Sequence, residues 1–491
     1  MTLLDLATAL GTSAVIGSSN IRVTGVSHDS RTVAEGDLFA CLVGATADGH
    51  EFIREAVARG ARAVLVNKDR RDAIPSAVSA IVVPDTRVAL GPAAACVFGY
   101  PSHDVDVIGV TGTNGKSTTV AMCEAIGLAA GRATGRIGTL GAHAMGRDLP
   151  AAHTTPEADD LQRLLAAMRG MGVRLVAMEV SSHGLALRRT DGMRFAGAVF
   201  TNLTQDHLDF HGTMDAYLEA KLRLFVEYPR LWETPFYAAI NMDDPQGALV
   251  ARSTVGHVIG FGLGPGAAVR ASDVDMRADR TRFVLVSPQG SVQVELPIGG
   301  AFQVMNALGA SAIMLALGTP LEAVAEGLHA MKPVPGRFES VQTGRDWSLI
   351  VDFAHTPDGL ASLLKSARAL NPSRIILVMG CGGNRDAGKR PIMGRIGAEG
   401  ADVLVVTSDN PRHEDPAAII KQILAGVPEG ICSLHAEVDR RLAIEYAIRE
   451  ARSGDLVLLA GKGGETYMIV GDEHIPYDDR EVAREIIERL P

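Results

Sequence analysis

Gly109-Val110-Thr111-Gly112-Thr113-Asn114-Gly115-Lys116-Ser117-Thr118 joins an apolar run, Val105 to Val110, to a segment, Thr119 to Ala129, that reads as a helix. An apolar run bounded by turn residues predicts a buried parallel strand. A Gly-rich turn between strand and helix leaves backbone N–H groups free to cradle phosphate oxygens, and the helix N-terminus adds partial positive charge. In such a loop Lys116 reaches the outer phosphates and the Ser117 hydroxyl ligates Mg²⁺. The spacing is a variant, because Val110 stands where the strict pattern has glycine, and the loop carries an extra Gly-Thr step.

Two further strands end in polar text. Leu175 to Val180 carries Glu179 and leads into Ser181-Ser182-His183-Gly184. Gly197 to Thr201 leads into Asn202-Leu203-Thr204-Gln205-Asp206-His207-Leu208-Asp209-Phe210-His211. In an open parallel sheet, ligands sit at the carboxyl ends of strands, so these ends predict one shared site. A divalent-metal set of a loop hydroxyl, a carboxylate and a histidine makes Ser117, Glu179 and His207 the candidate ligands. His153-Thr154-Thr155-Pro156-Glu157 is a polar loop before a helix starting near Ala158, and its acid suits helix entry. A helix over Met214 to Tyr228 carries the stripe Leu218, Leu222, Phe225. Lys221 lies one position off that stripe, which by spacing alone reads as a surface lysine.

Around this segment the chain has 491 residues, long for one core, and length alone suggests about three domains. With 47% hydrophobic and 21% charged residues it is a globular chain. A net charge of −10 argues against broad nucleic-acid binding. Cys41, Cys96, Cys123, Cys381 and Cys432 form no C-x-x-C pair, so neither a disulfide framework nor a zinc knuckle is expected. Met1 to Leu10 has no basic leader region, and the apolar runs are broken before they reach a membrane span. A cytoplasmic, soluble protein with no membrane insertion is expected.

Turn formers at Gly99-Tyr100-Pro101-Ser102-His103 and Pro333-Val334-Pro335-Gly336-Arg337 mark boundaries, giving domains 1–102, 103–334 and 335–491. The first reads as a small α/β unit, with strands at Ile21 to Val26, Gly36 to Val43, Ala63 to Val66 and Ala80 to Val83 and a helix at Phe52 to Arg59. The third repeats one grammar. Leu349 to Phe353, Ile375 to Gly380, Val403 to Ser408 and Leu456 to Ala460 each empty into a Gly-, Pro- or charge-rich loop before a helix, a doubly wound α/β pattern. Its loops mix Arg with Asp and Glu, which suits a zwitterionic ligand.

The chain resembles the Mur ligases, the cytoplasmic ATP-dependent amide-bond-forming family of peptidoglycan synthesis. The resemblance rests on the Gly-Thr-Asn-Gly-Lys-Ser loop, Glu179-Val180-Ser181-Ser182-His183, Asn202 to His211, Pro335-Gly336-Arg337-x-Glu339 and Asp352-Phe353-Ala354-His355-Thr356-Pro357-Asp358, and it spans essentially the whole chain. It implies a small UDP-binding α/β domain, a central P-loop-type ATPase domain with a parallel sheet, and a Rossmann-like doubly wound domain. Within the family the text is most similar to members that add a third residue to a UDP-linked muramoyl dipeptide. Asp409-Asn410-Pro411-Arg412 resembles the signature of those that add meso-2,6-diaminopimelate; lysine-adding members lack that arginine.

The resemblance implies roles residue by residue. ATP would meet Gly112, Thr113, Asn114, Gly115, Lys116, Ser117 and Thr118, with Asn306, Arg337, Asp352 and His355 around it. Lys116, Glu179, His207 and Lys221 would be catalytic. Lys221 matches the family's carbamylated lysine, whose CO₂ adduct would bind a second Mg²⁺ and overrides the surface reading. The UDP-linked dipeptide would be held by Ser30, Ala45, Thr46 and Ala47, then by Thr154, Thr155, Ser181 and Arg189. Arg385, Asp409, Asn410, Pro411, Arg412, Gly461 and Glu465 would hold the incoming amino acid, with Arg412 suited to a bidentate carboxylate grip and Glu465 to an ammonium. A monomer is expected.

Three positions depart from the family's text: Gly464 for a usual His, Gln303 for a usual Asn, and Leu187 where some members have Gln. The alternatives are the same chemistry with L-lysine or another amino acid, a folylpolyglutamate-type ligase, and a P-loop ATPase that makes no bond.

Overall fold

The computed structural model describes residues 1–44, 47–151 and 153–490. Three α/β layers follow one another along the chain, built on sheets of five, eleven and six strands, with a two-stranded hairpin, Tyr467–Val470 and Glu473–Pro476, near the end.

The first sheet is parallel across Gly25–Ser27, Asp37–Ala40, Ala63–Asn67 and Ser79–Val83, with Val15–Ile16 antiparallel at its edge. The strand expected over Ile21 to Val26 is shorter. Its first half is tied to the chain start instead, through Leu3 N to Ile21 O (2.8 Å) and Val23 N to Met1 O (3.0 Å).

The middle sheet has Asp106–Thr111 at its centre, flanked by Leu175–Glu179 and Gly197–Phe200, all parallel. From Asp106–Thr111 the chain passes to one side, to Thr134–Gly138; from Leu175–Glu179 it crosses back to Gly197–Phe200 on the other. Such a reversal opens a crevice beyond the carboxyl ends of the strands. These central strands are buried on both faces, which is why their sequences are continuously apolar. The helix after the phosphate-type loop runs Lys116–Ala129, three residues earlier than its apolar pattern suggests, because Lys116 to Thr118 form its polar first turn at the crevice.

An arm of Val269–Met276, Thr281–Ser287 and Gly290–Leu296 extends the sheet. The helix Ala301–Ala316 packs on that side and buries nearly its whole length, filling a core with Phe261, Phe283 and Leu285.

The last sheet places Ser348–Asp352, Leu456–Ala460, Ile375–Met379, Val403–Thr407 and Ser433–Glu437 side by side in parallel, with Glu339–Val341 antiparallel at one edge. Two apolar clusters cover its faces, the doubly wound arrangement expected. No helix among the described residues is long and apolar enough to cross a membrane.

Candidate active site

A cavity of ≈530 Å³ opens at the carboxyl ends of the three central strands and is closed from the far side by the segment Phe353 to Leu363. The whole loop from Gly112 to Thr118 lines it, as do Glu179, His207, Lys221, Asn306, Arg337, Asp352 and His355. Residues expected to serve ATP and metal, more than 200 positions apart in the chain, thus share one wall-to-wall space.

The loop is held from outside itself. Asn114 N donates to Asn202 Oδ1 (2.9 Å), Thr113 N to Asn202 O (2.9 Å), and Thr201 Oγ1 to Asn114 O (2.6 Å). Gly115 has φ +86°, and a Cβ there would fall 2.2 Å from Asn306 Oδ1, so glycine is required on both counts. Asn306 is in turn oriented by Gln303, whose Oε1 accepts from Asn306 Nδ2 at 2.8 Å. The departure at Gln303 therefore preserves a polar support beneath the loop.

Two lysines converge on one carbonyl. Lys116 Nζ donates to Gly112 O (3.0 Å) and Thr113 O (2.8 Å), and Lys221 Nζ donates to the same Gly112 O (2.9 Å). Lys221 is 2% exposed and stacks over Tyr217. Burial, then the neighbouring Lys116 charge, holds its amine well below the usual lysine range. Lys116 is lowered too, by burial first and by Arg337. Burial disfavours the charged ammonium, and the neutral amine is the form that takes up CO₂. The surface reading of Lys221 fails because the helix Met214–Val226 turns that face toward the loop.

Glu179 is buried, and its carboxylate accepts from Thr139 N (2.9 Å) and Thr139 Oγ1 (3.2 Å). His207 adopts φ +54°, uncommon for a residue with a side chain, beside Asp206 at 3.4 Å. Its imidazole is pulled down to about 4, first by loss of water around it and then, against Asp206, by His183 and the two lysines. An imidazole, a carboxylate and the Ser117 hydroxyl line this one cavity, and donors of those types suit Mg²⁺. Ser117 Oγ also accepts from Arg337 at 3.4 Å.

Thr155 Oγ1 donates to Glu179 O (3.0 Å) and lies 3.1 Å from Ser181 Oγ, while Thr154 meets Thr139 at 3.1 Å. A groove of ≈1110 Å³ lies between the first and middle sheets and contains Gly44, Arg87, Glu157, Leu187 and Arg189. Arg189 donates to Thr155 O (3.1 Å), and Glu157 pairs with both Arg189 (2.9 Å) and Arg87 (2.6 Å). Ser30 is buried in the turn after Gly25–Ser27, and Ala47 is exposed next to Gly44. Ala45 and Thr46 lie outside the described residues.

In the last sheet, Ser348–Asp352 and Leu456–Ala460 are neighbours, so their loops emerge together. The first leads to the cavity wall, the second to Gly461–Glu465. Gly461 N donates to Asp352 O (3.1 Å), and a Cβ on Gly461 (φ +112°) would lie 2.5 Å from Asp409 Oδ2. Asp409, Asn410 and Pro411 are buried, and Arg412 donates to Gly383 O at 3.0 Å. Glu465 accepts from Asn410 Nδ2 at 2.9 Å, and Arg385 is exposed on the facing loop. A side chain at Gly464 would meet Pro335 O at 2.7 Å, which accounts for glycine there.

Sequence reasoning missed Asp358 and Tyr217, which line the cavity, and Glu157 and Arg87, which line the groove. Asp358 Oδ2 accepts from Asn114 Nδ2 (3.0 Å) and Thr204 Oγ1 (2.7 Å), tying the last sheet's first helix to the phosphate-type loop. Its place in the quoted Asp352–Asp358 motif was the available signal. Glu157 was read only as helix-entry chemistry.

Three family descriptions match in order: "Mur ligase family, catalytic domain" over residues 22–96, "Mur ligase middle domain" over 110–314, and "Mur ligase, glutamate ligase domain" over 336–463. The chain belongs to the Mur ligase family. It is 44% identical over 486 residues to the UDP-N-acetylmuramoyl-L-alanyl-D-glutamate--2,6-diaminopimelate ligase of Geobacillus kaustophilus, covering 99% of both chains. It is 46% identical over 471 residues to the ligase of the same name from Gloeobacter violaceus, covering 96% of this chain and 95% of that one. Among solved structures, one of UDP-N-acetylmuramoyl-L-alanyl-D-glutamate--2,6-diaminopimelate ligase superposes with a TM-score of 0.72 at 31% identity over 99% of each chain. MurF from Acinetobacter baumannii superposes at 0.69 and 22% identity, again over 99% of each chain, a likeness of fold.

Proposed function

We propose that this Mur ligase uses ATP to join meso-2,6-diaminopimelate to UDP-N-acetylmuramoyl-L-alanyl-D-glutamate, in the cytoplasmic synthesis of peptidoglycan precursors. One observation carries the reading. The phosphate-type loop and Glu179, His207 and Lys221 share one cavity with Asp352 and His355, the strand ending at Asp352 neighbours the strand that leads into Gly461–Glu465, and Asn410 bonds to Glu465 in that loop.

In this reading segments 1–102, 103–334 and 335–491 divide the work. The first segment and the groove at Arg189 hold the nucleotide-linked dipeptide, with Thr154, Thr155 and Ser181 guiding its free carboxylate toward the loop. A carboxylate oxygen attacks the γ-phosphorus of ATP, the bond to the β-phosphate oxygen breaks, and ADP leaves. Lys116 turns from its carbonyl contacts to the phosphates, and Arg337 and His355 flank them. The amine of the incoming amino acid then attacks the acyl carbon, loses a proton, and phosphate departs. Holding the reactants together supplies most of the acceleration in such transfers. Ser117, Glu179, His207 and Lys221 as its carbamate would hold magnesium, which when bound neutralises charge developing on the phosphates.

Arg412 grips the distal carboxylate of the amino acid, and Asp409 and Glu465 face its ammonium groups. The test is a panel of amino acids offered with radiolabelled UDP-muramoyl dipeptide. Diaminopimelate should be the efficient substrate. Arg412→Ala should raise its KM by at least about tenfold, since a bidentate charge-assisted contact contributes about 2–3 kcal/mol. Preference for L-lysine, or an unchanged KM in the variant, would sink the assignment.

A further inference from the structure

Two lysines among the described residues are buried: Lys221, beside the phosphate-type loop, and Lys462, which is 0% exposed. Lys462 lies in the Gly461–Glu465 loop, and the roles described above leave it without one. Its ammonium donates to Asn410 Oδ1 (3.1 Å) and Glu465 Oε2 (3.0 Å), the side chains of two residues read as amino-acid contacts. Asn410 Nδ2 closes the ring by donating to the same Glu465 Oε2 at 2.9 Å, and Ile469 N donates to Asn410 Oδ1 at 2.9 Å.

This ring fixes what each group can offer a ligand. Asn410 Oδ1 already accepts two donors, and turning the amide over would set its NH₂ against the Lys462 ammonium and Ile469 N–H. Lys462 therefore holds the amide in one orientation. Glu465 has both donors on Oε2; its Oε1 has no protein partner among the described residues, and the side chain is 24% exposed. One carboxylate oxygen is thus kept free in a fixed place. The main chain of Asn410 continues the frame: its carbonyl accepts from Gly383 N at 2.9 Å, and the Gly383 carbonyl accepts from Arg412. A buried ion pair contributes little net stability over a well-packed apolar substitute, so stability does not account for a lysine here.

We infer that Lys462 is a positioning residue for the amino-acid substrate: it holds the Asn410 amide in one orientation and presents the free Glu465 oxygen to a ligand ammonium. This rests on the reading of the Asp409–Arg412 and Gly461–Glu465 loops as the amino-acid site.

Lys462→Gln, a neutral donor of similar reach, and Lys462→Met are compared with the wild-type enzyme by steady-state kinetics, varying each of the three substrates in turn. The expected result is a KM for diaminopimelate raised at least tenfold in both variants. The KM values for ATP and the UDP-linked dipeptide should stay within twofold, and kcat should change less than the amino-acid KM. A diaminopimelate KM within twofold of wild type overturns the inference, as does a parallel rise in all three KM values with a lowered melting temperature, the mark of a purely structural lysine. If Lys462→Met fails to fold, Lys462→Gln carries the comparison, because it retains a hydrogen-bond donor to the ring. The wild-type control separates the two levels: no diaminopimelate-dependent turnover there defeats the reading of the site itself, whereas normal wild-type turnover with an unaffected variant defeats only the role of Lys462.

Discussion

Lys221 shows what a single residue's surroundings decide. Its position beside an apolar stripe suggests solvent, yet the side chain is enclosed with its amine 2.9 Å from Gly112 O and held well below the usual lysine range by burial. Lys221→Ala should nearly abolish turnover, and added bicarbonate should not restore it; activity above about a tenth of wild type would count against a carbamate there. His28 is a second such case. Burial alone would lower its imidazole, but Asp159, bonded to the ring at 2.9 Å, raises it above the ordinary 6.5. Because the folded value is raised, the protonated pair stabilises the junction of the first and middle sheets fully below pH 6.5 and loses that contribution as pH climbs through the raised value. The melting-temperature gap between wild type and His28→Gln should therefore be widest in mild acid and narrow toward alkaline pH. A gap independent of pH would contradict it. Sequence motifs singled out Lys116, Ser117, Glu179 and His207, which line one cavity, because polar residues at the ends of apolar strands stand out. They did not reach Glu157 or Lys462, whose roles consist of holding other side chains and leave no pattern in spacing.

At the level of elements, the central strands were readable because strands buried on both faces are continuously apolar, and their polar ends then stand out. The arm Val269–Met276, Thr281–Ser287 and Gly290–Leu296 was not, because much of it faces solvent and its alternation is broken by a bulge between Ser272 and Asp275. The last sheet also hides a device no loop motif announces. Arg440, at the start of the helix Arg440–Glu450, is fully buried against Asp479 and donates to the carbonyls of Ser408 (3.1 Å) and Ala460 (3.0 Å). Those carbonyls immediately precede Asp409 and Gly461, so one guanidinium joins the ends of two strands. Arg440→Met leaves Asp479 buried and unpaired, and should destabilise the protein by about 3–5 kcal/mol. Thermal unfolding checks this, and Arg440→Met/Asp479→Leu should recover most of the loss; equal melting of Arg440→Met and wild type would refute it.

Across the whole molecule, the sequence supplies three units but not their contacts, since which loop meets which depends on packing between surfaces far apart in the chain. Asp358 illustrates the gap. It reaches from the last sheet's first helix to Asn114 and Thr204, so the phosphate-type loop is completed by a distant segment. Hydrogen bonds to a charged group contribute about 1.5–3 kcal/mol each, so Asp358→Ala should raise the KM for ATP at least about tenfold. An unchanged KM would mean that this closure does not matter to nucleotide binding. A ligase couples phosphate transfer to bond formation across these units. The decisive measurement is phosphate release from ATP by the purified protein with and without the UDP-linked dipeptide and diaminopimelate. Release in step with amide product is expected only when both acceptors are present; equal release without them would contradict the ligase assignment.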